Sequence, residues 1–160
     1  MENLLAFTTH LPEVEYEPGA TIITEGGESS GVWILAAGSL RVIKSGKDVN
    51  IVTEPGALIG EMSILLGIPD SATVQAAERC VLRYAEDGET FLMSDPKIIH
   101  QVAVGLAERL NFVTTYLADL KRQYGDAPGL EMVPDVLSQL AQRHAPAAHP
   151  GSNRDPDPEY

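Results

Sequence analysis

The sequence predicts a mainly β fold, an antiparallel sandwich or barrel of short strands, followed by one long helix. Three observations predict it. Between Val14 and Tyr84, short runs of alternating or β-branched residues recur at roughly 8 to 12 residue spacing. Glycine- and proline-bearing turn sequences separate these runs. Beyond residue 94 the apolar period lengthens from about two to about three and a half.

The strand runs are, in order, "TIIT", "GVWILAA", "SLRVIK", "VNIVT", "ATVQA" and "CVLRYA". Between them stand "EPGA", "EGGESSG", "SGKD", a second "EPGA" and "AERC". In "SLRVIK", Leu40 and Val42 alternate with Arg41; in "CVLRYA", Cys80, Leu82 and Tyr84 share one face and Arg83 takes the other. One face is therefore inside, and the arginines are read as solvated charges on the outside.

The helix is read from "SDPKIIHQVAVGLAERLNFVTTYLADLKRQYG". Ser94 and Asp95 are candidate N-caps, Pro96 sits in the permissive first turn, and Gly125 is the stop after Lys121 and Arg122. That gives a helix of about 28 residues, about 42 Å long. Ile99, Ala103, Leu106, Leu110, Val113, Leu117, Leu120 and Tyr124 form a stripe with alternating spacings of four and three. Ile98, Val102, Gly105, Phe112 and Tyr116 form a second stripe beside it. A helix this long outruns a small barrel, so one stripe packs on the barrel and the other is left for a second copy of the chain. The alternative is that both stripes cover the domain's own core. The expected division is one domain over 1–124, including the helix at 95–124, and an appendage over 125–160. In the appendage, "MVPDVLSQLAQRHA" reads as a short helix with Pro134 near its start and Val136, Leu137 and Leu140 on one side. "PAAHPGSNRDPDPEY" reads as a disordered, proline-rich, acidic tail.

Bulk properties narrow the function classes. A chain of 160 residues, 44% of them hydrophobic, suits one domain plus an extension. Its 23 acidic and 11 basic residues give a formal charge of -12, which opposes direct DNA binding and binding to anionic membrane surfaces. "MENLLAFTTHLPEVEYEPG" lacks the basic start and small-residue cleavage site of a signal peptide. The single Cys80 excludes an intramolecular disulfide framework and fits a reducing compartment, so the expected location is the cytoplasm. His10, His100, His144 and His149 are scattered, and none pairs with Cys80 or an acid at catalytic or metal-binding spacing. The expectation is a non-enzyme with no cofactor and no metal, and Cys80 a buried inert thiol.

The stretch "GEMSILLGIPDSATVQA", residues 60–76, carries the chemistry. Gly60 allows close backbone approach, and a helical turn from Glu61 turns N-H groups of Met62 and Ser63 outward, as helix N-termini that hold phosphate do. Glu61 can accept hydrogen bonds from a sugar hydroxyl; the alternative is an acid placed favourably at a helix N-terminus.

Short strands punctuated by Gly19, Gly27 and Gly38, a Gly-Glu helical turn among them and a long helix after them resemble the cyclic-nucleotide-binding domain family over about Pro12 to Tyr124. More narrowly, the chain is similar to the CRP/FNR-like sensor domain without its DNA-binding domain. The resemblance implies a β-roll or jelly-roll barrel followed by a long C-terminal helix, and it makes residues 60–76 a phosphate-binding cassette for cAMP or cGMP. It implies that Glu61 takes the ribose 2'-hydroxyl, that Gly60, Met62, Ser63, Ser71 and Ala72 line the ligand, and that Thr114 is the nearest match to a purine contact from the helix. It also exposes a departure. The family's cassette has an arginine after the proline, to pair with the cyclic phosphate, whereas here Asp70 follows Pro69. Asp70 repels what an arginine attracts.

Two functions follow. One is a stand-alone regulatory sensor that signals through ligand-dependent movement of the helix. The other is a ligand-free dimeric interaction module, with Asp70 abolishing cyclic nucleotide binding. Rescue of phosphate binding by Arg41, Arg79 or Arg83, by contact from Ser71, or by an uncharged or cationic ligand remains open. A homodimer through 95–124 and a protein effector are the expected partners.

Overall fold

The computed structural model describes residues 3–124 and 129–140. The chain divides into two compact units, 1–103 and 104–160. The first unit opens with α1 (Leu4–Phe7), whose N-cap Asn3 accepts the Leu5 N-H. Five strands follow, β1 (Glu13–Tyr16), β2 (Thr21–Ile23), β3 (Val32–Ala37), β4 (Leu40–Lys44) and β5 (Lys47–Val52). After them come β6 (Leu58–Ile59), α2 (Glu61–Leu66), β7 (Thr73–Ala76), β8 (Cys80–Ala85) and α3 (Gly88–Met93). The strands form two antiparallel four-stranded sheets, ordered β1-β8-β3-β6 and β2-β7-β4-β5.

The core lies between these sheets because each contributes its alternate residues. Trp33, Leu35, Ile59, Cys80 and Leu82 come from one sheet and Ile23, Leu40, Val74 and Ala76 from the other; all are buried in one cluster. Val42 and Tyr84 pack against it, as the alternation in their strands requires. Trp33 and Tyr84 face each other across the β3–β8 ladder with ring centroids 4.8 Å apart.

Arg83 corrects the reading of a wet outer face. Its side chain is only 17% exposed. The guanidinium pairs with Glu13 at 3.1 Å and donates to the Leu5 carbonyl at 2.8 Å and Thr8 Oγ1 at 3.1 Å. It thereby clamps α1 onto the outside of β8. Alternation gives the face of a residue, and α1 decides that this part of the face is covered. A four-residue helix has no period to detect, which is why α1 escapes a sequence reading. Two-residue β6 escapes for the same reason. The six-residue α3, with Asp87 as N-cap and Gly88 as first helical residue, is likewise short.

The long helix α4 spans Pro96–Tyr124, one residue from its expected start. Asp95 Oδ1 accepts the Lys97 N-H at 2.8 Å, which makes Asp95 its cap. Within the first unit, Ile98 and Val102 of the second stripe are buried, whereas Ile99 is half-buried. Within the second unit, Leu110, Phe112, Val113, Tyr116 and Tyr124 are exposed, Phe112 at 72%. That unit also holds α5 (Val133–Leu140), which agrees with the expected short helix as far as Leu140; residues 141–145 of that expectation fall outside the described residues. The expected stop at Gly125 and the tail at 146–160 fall outside the described residues.

Two stability measurements follow. Leu82 is fully buried at the centre of the cluster; Leu82→Ala is expected to lower unfolding free energy by about 3 kcal/mol, read from the urea midpoint at unchanged slope. Asp87 accepts the Thr90 N-H and then its hydroxyl, and these bonds hold its carboxyl below the usual carboxylate range. A depressed pKa contributes stability above the unfolded value, about 3.9, and loses it as pH falls through the folded value. The stability gap between wild type and Asp87→Asn should therefore be open near about pH 6 and narrow as pH falls through the lowered pKa of Asp87, which acid titration of thermal unfolding checks.

Candidate ligand-binding cassette

β6 delivers the chain into Gly60, which adopts a left-handed φ of +93°. A Cβ there would lie 3.1 Å from the Gly31 carbonyl and 3.5 Å from Trp33, so both the backbone angle and the crowding select glycine. α2 then carries Glu61 and Ser63 inward, both buried, and leaves Met62 exposed at 42%. Gly67 closes the helix in a second left-handed conformation.

Asp70 is the best-tied residue of the cassette. It is 4% exposed. Its Oδ2 accepts from Ser29 Oγ at 2.5 Å and its Oδ1 from Ser63 Oγ at 2.9 Å. Its backbone N-H donates to the Gly27 carbonyl, and its carbonyl accepts the Gly26 N-H, each at 2.8 Å. Gly27 lets this happen: a Cβ there would lie 2.9 Å from the Thr24 carbonyl and 3.4 Å from Asp70 Oδ2. The Ser63 hydroxyl has one proton and two acceptors in reach, Asp70 and the Gly60 carbonyl at 3.0 Å. The structure thus joins Gly60, Ser63 and Asp70 in one network. Ser71 and Ala72 follow it half-buried, with the Ser71 carbonyl accepting from Lys44 Nζ at 2.6 Å. Thr114 is half-buried on α4 in the second unit.

Ser29 was not foreseen, since a serine in a glycine-rich loop reads as turn chemistry. Its only sequence signal is the pair of hydroxyls in "ESSG". Lys44 was likewise not foreseen. The three arginines weighed as replacement cations are engaged elsewhere. Arg41 pairs with Asp48 at 3.5 Å, Arg79 with Glu15, and Arg83 with Glu13 and α1. The hydrogen bond from Arg79 to Glu15, reinforced by that carboxylate's charge and by Glu17, raises the Arg79 pKa.

Beside Ser29 and Ser63 opens a cavity of about 390 Å³. Its charged lining is Glu28, Asp87 and Glu89, and among the described residues no basic side chain borders it. Such a rim disfavours an anion. Burial, with Glu78 adding, pushes the Cys80 thiol pKa up and keeps it a neutral core group. Among the described residues, no three His, Cys, Asp or Glu side chains are grouped to hold a metal, and no helix is long and apolar enough to cross a membrane.

Residues 13–91 match the family model described as cyclic nucleotide-binding domain. The chain is 37% identical over 81 residues to a cAMP-dependent protein kinase regulatory subunit of Yarrowia lipolytica, covering 51% of this chain and 21% of that protein. It is 31% identical over 146 residues to a CRP-like cAMP-activated global transcriptional regulator of Mycobacterium tuberculosis, covering 88% of this chain and 63% of that protein. Among solved structures, the Thermus thermophilus catabolite activator protein is similar at a TM-score of 0.60 and 26% identity, over 71% of this chain and 56% of that one. The chain thus spans less than two thirds of the length of each of these relatives. With two antiparallel sheets, a glycine-led cassette after β6 and the match over 13–91, residues 13–91 have the fold and the family match of a cyclic nucleotide-binding domain.

Proposed function

We propose that the chain is a non-catalytic regulatory module whose cassette has lost the phosphate contact and which acts through α4. The observation that carries this reading is the buried Asp70 carboxylate at the cassette position where the family's resemblance puts an arginine. Two unit charges 4 Å apart interact with about 4 kcal/mol at an effective dielectric near 20. Replacing attraction by repulsion of that size weakens an anion by about three orders of magnitude or more. Its output is the exposed apolar surface of α4 within the second unit, where Leu110, Phe112, Val113, Tyr116 and Tyr124 await a second copy of the chain or a protein effector. The charge of -12 argues against direct DNA contact, and the lone, buried Cys80 fits the cytoplasm.

A second reading has specific support. The two relatives are named for cAMP, and buried Glu61 sits where the resemblance places the acceptor of a ribose hydroxyl. On this reading the domain is a cyclic nucleotide sensor, and a ligand that prefers one arrangement shifts α4 between two states.

Titration calorimetry separates the two. Wild type is expected to bind cAMP and cGMP with Kd above about 100 μM, and Asp70→Arg to tighten them at least about tenfold. Tight binding by wild type would establish the sensor instead. Light scattering tests the output: a dimer is expected at micromolar concentration, and Leu110→Glu or Leu117→Glu should make it monomeric. A monomeric wild type would remove the dimer from the account.

A further inference from the structure

We propose that Asp70 is an intramolecular occupant of the cassette, a built-in oxyanion that holds the β2–β3 loop closed on α2 without any ligand. This deepens the reading above and rests on residues 60–76 being the cassette. An absent cation would leave a site that is merely weak. The geometry shows more than that. Two hydroxyl donors, Ser29 from the β2–β3 loop and Ser63 from α2, converge on the two oxygens of one buried carboxylate. Convergent O-H donors are what a site offers to a bound oxyanion, and here both are spent on the chain's own.

The backbone closes the same ring. The Asp70 N-H and carbonyl bond to Gly27 and Gly26, so the loop is fastened to Asp70 twice by main chain and once by Ser29. Ser63 then fastens Asp70 to α2. A tethered occupant competes at an effective concentration of about millimolar or higher. An external anion at micromolar concentration would have to displace it, and the cavity beside Ser29 and Ser63 adds the acidic lining of Glu28, Asp87 and Glu89. The cassette is self-liganded, and its closed form is the resting state.

The test uses the whole protein and two probes, amide hydrogen exchange without ligand and cAMP titration. Asp70→Asn keeps the shape and removes the charge without adding a cation; Ser29→Ala keeps the carboxylate and removes one donor. Both variants are expected to speed exchange at the Gly26 and Asp70 amides at least about tenfold, while the amides of β8 keep their protection. Asp70→Asn is also expected to bind cAMP at least about tenfold more tightly than wild type. If exchange in 26–30 and 63–70 is unchanged in both folded variants, the occupant is refuted. It is equally refuted if only Asp70→Arg, and not Asp70→Asn, gains affinity, because the defect would then be a missing cation. Tight cAMP binding by wild type would sink the nucleotide-free reading, while the ligand-free exchange data would still decide whether Asp70 fastens the loop.

Discussion

A carboxylate taken out of water must find hydrogen-bond donors or cost several kcal/mol, and Asp70 meets that constraint within the cassette itself. Two hydroxyls reach its oxygens and two backbone bonds fix its main chain. Neighbouring features fit that requirement. Gly27 lacks a side chain where Asp70 Oδ2 approaches, Ser63 is turned inward by the pitch of α2, and Gly60 starts that helix in a backbone conformation suited to glycine. The β2–β3 loop is consequently part of the cassette, although it lies far from it in sequence.

The sheets make this arrangement affordable. The core between them takes Leu35, Leu40 and Leu82 to complete burial, and β3 and β6 pair through Trp33 with Ile59, immediately ahead of Gly60. A rigid ladder therefore sets where α2 begins. The same sheet carries Arg83 of β8 on its other face, where it binds α1 and Glu13, so that guanidinium is committed to the fold and lost to the ligand chemistry. Cations exist in this domain, but the arginines serve as struts.

Much of the fold was legible in the sequence, because strand alternation and the long helical stripe are periodic signals. Leu40, Val42, Cys80, Leu82 and Tyr84 all turn toward the core as their alternation requires, and α4 starts within a residue of its expected cap. What escaped was aperiodic or non-local. The α1 and β6 segments are too short to show a period, and Arg83 was misjudged because α1 was invisible. At the site, Glu61 and Asp70 were legible as types at a spacing, yet the partner that gives Asp70 its meaning was not. Ser29 is brought to it by pairing between segments 41 residues apart, which no local pattern encodes. A charge at a given position was readable; whether it faced a ligand or the chain's own hydroxyls was a matter of tertiary structure.

The domain thus keeps the scaffold of its family while its cassette is filled from within. The most direct test of that claim is a crystal structure with the crystals equilibrated against about 20 μM cAMP, several-fold below the Kd expected of wild type. The account predicts Asp70 still bonded to Ser29 and Ser63, with no nucleotide in the cassette. Nucleotide density on α2, with the Asp70 side chain swung away from both serines, would contradict it.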